Sequence, residues 1–222
     1  MTTLAIVGAG PGLGAAVARR FGRAGHDVAL VSRSQQHLDA LAADLTRDGV
    51  TAAGFAADVH DPDALAAALE AAGTALGPIE VLQYSPVPHK DFMRPVLETG
   101  PADLAGPIAF SVYGPVAAVG QVLPGMRRLG RGTVLFVNGG TAAVPHPERA
   151  GTSIAFAAES AYGHLLHETL ADDGIHVGQL IVPGAIVPGH PRKDPAVLAD
   201  LLWTIHRDRH GFRHFADDLD AA

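Results

Sequence analysis

The chain has 222 residues, 48% hydrophobic and 18% charged, a balance that suits one globular domain with a substantial core. A formal charge of −7 without a basic run gives no support to a nucleic-acid surface, and no basic amphipathic helix marks a membrane surface. The absence of cysteine excludes disulfides and thiolate metal sites and suits a reducing cytoplasm, and the chain enters its first apolar run without a positively charged leader.

That run, Leu4 to Val7, ends in Gly8-Ala9-Gly10-Pro11-Gly12-Leu13-Gly14 and opens into Ala15 through Phe21, which reads as strand, tight turn and helix. The glycines at 8, 10, 12 and 14 keep side chains away from the backbone N–H groups, and the helix N-terminus adds partial positive charge. The turn is therefore an anion cradle, or else a tight connection without a ligand; its context decides. Asp27 to Val31 is a second strand. Ser34 begins a helix with Leu38, Leu41, Ala42 and Leu45 at helical spacing, ended by Gly49. Thr51 to Ala57 is a third strand, and Asp61-Pro62 caps a helix through Leu65 and Leu69 that Gly77-Pro78 closes.

Ile79 to Tyr84 is the fourth strand, followed by a loop punctuated by Pro86, Pro88 and Pro95. Leu104 to Met126 carries no charge and has the length of a membrane span, but Gly106, Pro107, Gly114, Pro115, Gly120, Pro124 and Gly125 interrupt it. It is read as a helix buried in a protein interface, running to about Leu129. Thr133 to Asn138 is the fifth strand, residues 139–151 a loop, Thr152 to Asp172 an alanine-rich helix, and Ile175 to Val182 the sixth strand, ending in Pro183-Gly184. A helix near Pro195 to Arg207 and a polar tail over about 208–222 complete the chain.

Six strands alternating with helices predict one domain over residues 1–222, an α/β doubly wound parallel sheet covered on both faces. Ligands of such sheets bind beyond the carboxyl ends of the strands, where the winding reverses and the glycine turn lies. At the end of the second strand a carboxylate would hold the ribose hydroxyls of NAD; here Ser32 and Arg33 stand there. A guanidinium favours a 2′-phosphate, so NADP(H) is preferred over NAD(H). Asp58, followed by Val59, either accepts from the adenine amino group or is a turn aspartate.

On Gly8-x-x-x-Gly12-x-Gly14, Asp58-Val59, Gly114 with Leu123-Pro124, and Gly174-Ile175-His176-Val177 leading to Pro183-Gly184, the chain resembles the short-chain dehydrogenase/reductase family over nearly its whole length. The resemblance implies a Rossmann-type fold with Pro183 and Gly184 approaching the nicotinamide end of the cofactor. It also implies a tyrosine four residues before a lysine, with a serine and an asparagine. The only lysines are Lys90 and Lys193, and neither has tyrosine four residues upstream. Counted back from Gly174, the tyrosine and lysine positions fall near Thr152 and Phe156, the serine near Gly139 and the asparagine near Ser111. Tyr84-Ser85-Pro86-Val87 replaces the family's Asn-Asn-Ala-Gly segment.

Substitutes for the missing proton relay are few. Tyr84 either donates to a substrate oxygen or is a packing tyrosine bonded to a loop carbonyl, and the second reading is favoured. Thr141 and Thr152 place hydroxyls near the lost serine and tyrosine, fit to orient a carbonyl but too weakly acidic to protonate it. His146 lies in the same loop and imidazole is the side chain able to exchange protons near neutral pH, but a loop histidine reads as solvated. His164 with His167, and His206 with His210 and His214, lack a carboxylate constellation, so no metal site is expected. The expected function is an atypical oxidoreductase binding NADP(H) and acting on a carbonyl or activated alkene of a small molecule. The alternative is a redox-silent lyase, isomerase, cyclase or dinucleotide-sensing protein. In the family, helices at 101–130 and 152–172 pair subunits, which implies a homodimer or homotetramer.

Overall fold

The computed structural model describes residues 2–219. Its strands are β1 (Thr3–Val7), β2 (Asp27–Ser32), β3 (Ala52–Ala56), β4 (Ile79–Tyr84), β5 (Gly132–Gly139), β6 (Ile175–Val182) and β7 (Arg213–Phe215). Every pairing is parallel, in the order β3-β2-β1-β4-β5-β6-β7. β1, β4 and β6 are buried along their whole length, which is why their apolar runs do not alternate with polar residues.

Helices cover both faces. On one, α1 (Leu13–Gly22), α2 (Gln35–Arg47) and α7 (Pro195–Asp208) bury Val17, Phe21, Leu38, Leu198 and Leu202. On the other, α3 (Pro62–Leu76), α5 (Gly114–Leu129) and α6 (Ala150–Leu170) bury Leu65, Leu69, Val122, Met126 and Phe156. The caps follow sequence chemistry: Ser34 accepts from the His37 N–H and Asp61 from the Ala64 N–H. Winding reverses between β1 and β4, so the carboxyl ends of these strands frame the crevice where such sheets take ligands.

The predicted polar tail is corrected in part: Arg213–Phe215 extends the sheet as a seventh strand. Arg213 pairs with Gln179 in register, its Nε donates to Gln179 Oε1 at 3.1 Å, and the Ala216 N–H donates to Ile181 O at 2.9 Å. A strand held by a buried polar partner on β6 has no apolar run to announce it.

The uncharged segment becomes α4 (Pro101–Ile108), a π-helical turn (Ala109–Tyr113) and α5. Together Pro101–Leu129 is long and apolar enough to cross a membrane by length and composition, and 44% of its most apolar window is buried. The buried side, with Ala118, Val119 and Met126, packs against the sheet; Tyr113 and Val116 stay exposed.

The histidine pairs do not gather: among the described residues no cluster of metal-ligating side chains exists. His206 is instead buried with Nδ1 2.9 Å from Thr133 Oγ1, and His176 is buried with Nε2 unpartnered. Burial lowers both from 6.5 to about 4. The unfolded chain therefore binds more protons between these values, so this stability is complete above 6.5 and drains as pH falls towards 4. Glu159, raised, acts with the opposite sign and loses its contribution as pH rises from 4.5 through about 8. The histidine limb is isolated by difference: thermal midpoints of His176→Leu, followed by circular dichroism, should fall less from pH 7 to pH 5 than those of the wild type. An unchanged slope would contradict the assignment.

Candidate functional site

The glycine turn closes one wall of a cavity of about 730 Å³ at the carboxyl ends of the sheet. Gly8, with φ at +92°, lies under the loop after β4, and a Cβ there would come 2.5 Å from Cα of Pro86. A Cβ on Gly14 would lie 3.1 Å from Cα of Ala9, whereas Gly10 and Gly12 face open space with nothing within 4 Å. Gly8 and Ala9 spend their N–H groups on Val31 O at 2.9 and 3.0 Å. The N–H groups of Gly10, Gly12, Leu13 and Gly14 find no acceptor among the described residues, and Gly12 at the N-cap of α1 supplies no capping side chain. Free donors, absent Cβ atoms and a helix N-terminus together are fit to hold a phosphate diester.

Ser32 ends β2 and Arg33 follows it, one strand over from the turn, because Val7 pairs with Val31. Arg33 is exposed and its guanidinium has no hydrogen bond or ion pair among the described residues. Asp58, beyond β3, accepts from the His60 N–H at 3.0 Å and lies 2.8 Å from His60 Nδ1. Burial alone would raise its carboxyl, but His60 and the charge of Arg33 hold it below the ordinary range. Asp58 is thus a turn aspartate with one oxygen engaged, beside the buried Val59. Ser32, Arg33, Asp58 and Val59 do not line the cavity; Gly184 does, with φ at +70°, next to the buried Pro183.

The expected hydroxyls separate into unlike environments. Thr141 lines the cavity with its hydroxyl free of any partner among the described residues. Thr152 also lines it, but its Oγ1 donates to Arg149 O at 3.2 Å, which commits the proton to the first turn of α6. Tyr84 is corrected as a donor to substrate: it is fully buried, its hydroxyl donates to Phe110 O, and burial pushes the phenol up, against losing a proton. At the end of β4 its side chain falls on the inner face, under α5, where Gly114 leaves room for the phenolic oxygen. His146 does not line the cavity; its Nδ1 accepts from the Glu148 N–H at 3.2 Å. Phe156 closes the inner wall one turn beyond Thr152.

Two features of this region carry little signal in the sequence. Behind the cavity, Glu159 is fully buried and accepts from Asn138 Nδ2 at 3.0 Å, while Asn138 Oδ1 accepts from Gln179 Nε2 at 2.8 Å. Ser160 and Arg213 complete this network on Gln179 and on each other. Burial pushes the Glu159 carboxyl to about 8 although Asn138 and Ser111 pull the other way, so it holds a proton at neutral pH. Its sequence signal was a lone acid seven residues after Thr152, on the face of α6 that carries Phe156. The second feature is Arg149, on the cavity wall one helical turn before Thr152. The wall itself is fixed by the Val96 N–H donating to Pro147 O and the Ala150 N–H to Arg94 O, both at 2.8 Å.

Comparison with known proteins agrees with this architecture. The family model described as short chain dehydrogenase matches residues 2–194. A fatty acyl-CoA reductase of Mycobacterium tuberculosis is 27% identical over 216 residues, covering 92% of this chain and 73% of that protein. Other curated relatives are matched over 40%, 59% and 52% of their own lengths. Among solved structures, L-sorbose reductase from Gluconobacter frateurii, complexed with NADPH and L-sorbose, superposes with a TM-score of 0.86 at 20% identity, covering 97% of this chain and 95% of that one. An NADPH-bound short chain oxidoreductase from Pseudomonas aeruginosa, described as containing an atypical catalytic center, gives 0.84 at 18% identity, covering 96% and 95%.

Proposed function

The chain belongs to the short-chain dehydrogenase family, and on that premise we propose that it binds NADP(H) in preference to NAD(H) and reduces a carbonyl or activated alkene of a small molecule without the family's tyrosine. The observation that carries this reading is the set of unpartnered N–H groups of Gly10, Gly12, Leu13 and Gly14 beside the open space over Gly10 and Gly12. These groups would hold the pyrophosphate, Arg33 the 2′-phosphate, and the free oxygen of Asp58, with Val59, the adenine edge. Pro183 and Gly184 border the nicotinamide end. NADP(H), when bound, supplies a hydride.

The chain's own part is then positioning. Thr141 donates a hydrogen bond to the reacting oxygen and holds it in place, but an aliphatic hydroxyl is too weak an acid to give up its proton, so water entering the cavity delivers it. Thr152 and Phe156 stand where the resemblance puts the tyrosine and lysine, and Phe156 offers the ribose neither charge nor hydrogen bond. These two residues also favour the second reading, a protein that binds the dinucleotide without transferring hydride. Exposed Tyr113 and Val116 near the start of α5, with Ile154 and Leu165 on α6, support pairing of copies across these helices into a homodimer or homotetramer. Sedimentation at the monomer mass at micromolar concentration would contradict that pairing.

The function is tested by following NADPH absorbance with a panel of ketones, aldehydes and enones. Slow oxidation that depends on the added carbonyl, and that Thr141→Val lowers about tenfold, is expected. Bound NADPH that no carbonyl oxidises would instead establish the redox-silent reading.

A further inference from the structure

Of the described residues lining the cavity, Arg149 alone carries a charge. Arginines elsewhere, such as Arg94, Arg127 and Arg131, pair with carboxylates, whereas the Arg149 guanidinium has no hydrogen bond or ion pair among the described residues. Its backbone is held firmly. The Arg149 N–H donates to His146 O at 3.0 Å, and its carbonyl accepts from Thr152 Oγ1 at 3.2 Å and from the Ser153 N–H at 2.9 Å. The residue stands at the N-cap of α6, where the helix dipole adds to its positive field.

Much of the remaining wall is apolar. Val87, Met93, Phe156 and Ile186 line the cavity, and three of them continue onto the rim, with Val87 87%, Met93 44% and Ile186 37% exposed. An apolar lining that runs from the interior to the rim, with one uncompensated guanidinium, is complementary to an amphiphile.

The geometry points to a carbonyl substrate that carries a carboxylate on an apolar body, its carboxylate bound by Arg149 and its body laid against Val87, Met93, Phe156 and Ile186. The assignment rests on the cavity being a cofactor-and-substrate site. A planar guanidinium matches a carboxylate with parallel hydrogen bonds, while a phosphate dianion would call for further cations that this wall does not provide. Arg149 is therefore a specificity-determining residue, and its place one helical turn before Thr152, the position the resemblance gives to the tyrosine, assigns it to the substrate rather than to the phosphates.

The test uses NADPH-loaded protein and calorimetric titration with methyl-ketone acids from 4-oxopentanoate to 9-oxodecanoate, each matched to the methyl ketone of equal length. At least one oxo acid should bind about tenfold tighter than its neutral partner. That preference should vanish in Arg149→Ala, persist in part in Arg149→Lys, and leave NADPH affinity unchanged in both. Because the side chain is exposed, both variants should keep the wild-type thermal midpoint, and the lysine variant reads the effect should the alanine variant not fold. Equal binding of acid and ketone, a preference that survives Arg149→Ala, binding of neither probe to NADPH-loaded protein, or lost NADPH affinity with the preference intact would each overturn the assignment. Arg149-dependent binding of oxo acids by a protein that takes up no NADPH would instead overturn the cofactor reading and leave the carboxylate site standing.

Discussion

Alanine at Gly8 should destabilise the protein by about 2–4 kcal/mol, while alanine at Gly12 should leave stability within about 0.5 kcal/mol of wild type and weaken NADPH about 10- to 100-fold. The two glycines sit in one turn but answer to different neighbours. Gly8 has a positive φ of 92°, and the Cβ would meet not a flexible side chain but the backbone of Pro86, at 2.5 Å, so the loop after β4 would have to move. That loop is anchored by the Ser85 N–H donating to Val7 O at 2.9 Å, and displacing it would break the β1–β4 crevice. Gly12 has nothing within 4 Å, so a methyl group there costs the fold little. It would fill the space through which a phosphate reaches the N–H groups of Gly12, Leu13 and Gly14. Urea unfolding and fluorescence titration of NADPH, run on both variants, separate the effects. Equal stability losses, or undiminished NADPH binding by Gly12→Ala, would show that the turn is a connection and not a cradle.

Arg33→Ala should weaken NADPH about 10- to 100-fold and change NADH by about twofold or less. The guanidinium is free to turn towards a 2′-phosphate, and a charge-assisted hydrogen bond on an ionised phosphate accounts for most of the expected loss. A second effect adds to it. Asp58 lies close enough to feel the charge of Arg33, so removing that charge leaves an uncompensated carboxylate near the place where the 2′-phosphate would sit. NADH has no phosphate there and loses neither interaction. Similar losses for both dinucleotides in parallel titrations would remove the basis for preferring NADP(H).

Most of the sheet was legible because its strands are apolar runs bounded by glycine and proline, and their alternation with capped helices fixes parallel pairing. β7 was not, since Arg213-His214-Phe215 becomes a strand only through Gln179 and Ile181, which lie far away in sequence. The glycine turn was legible as a cradle, but which glycine serves the fold and which the ligand depends on where Pro86 crosses it. Tyr84 shows the limit of reading a site from strand ends: one residue of register decides whether a side chain enters the crevice or the core, and here it enters the core against Phe110. Arg149 carries no motif that sets it apart in the sequence; only the closing of its loop against residues 94–96 brings its charge to the cavity wall.

The proposed function rests on the turn from Gly10 to Gly14 holding a dinucleotide. Calorimetric titration of the wild-type protein with NADPH and NADH tests it most directly. One NADPH should bind per chain, at least about tenfold more tightly than NADH. No heat of binding from either dinucleotide, at concentrations well above those that saturate ordinary dehydrogenases, would contradict it.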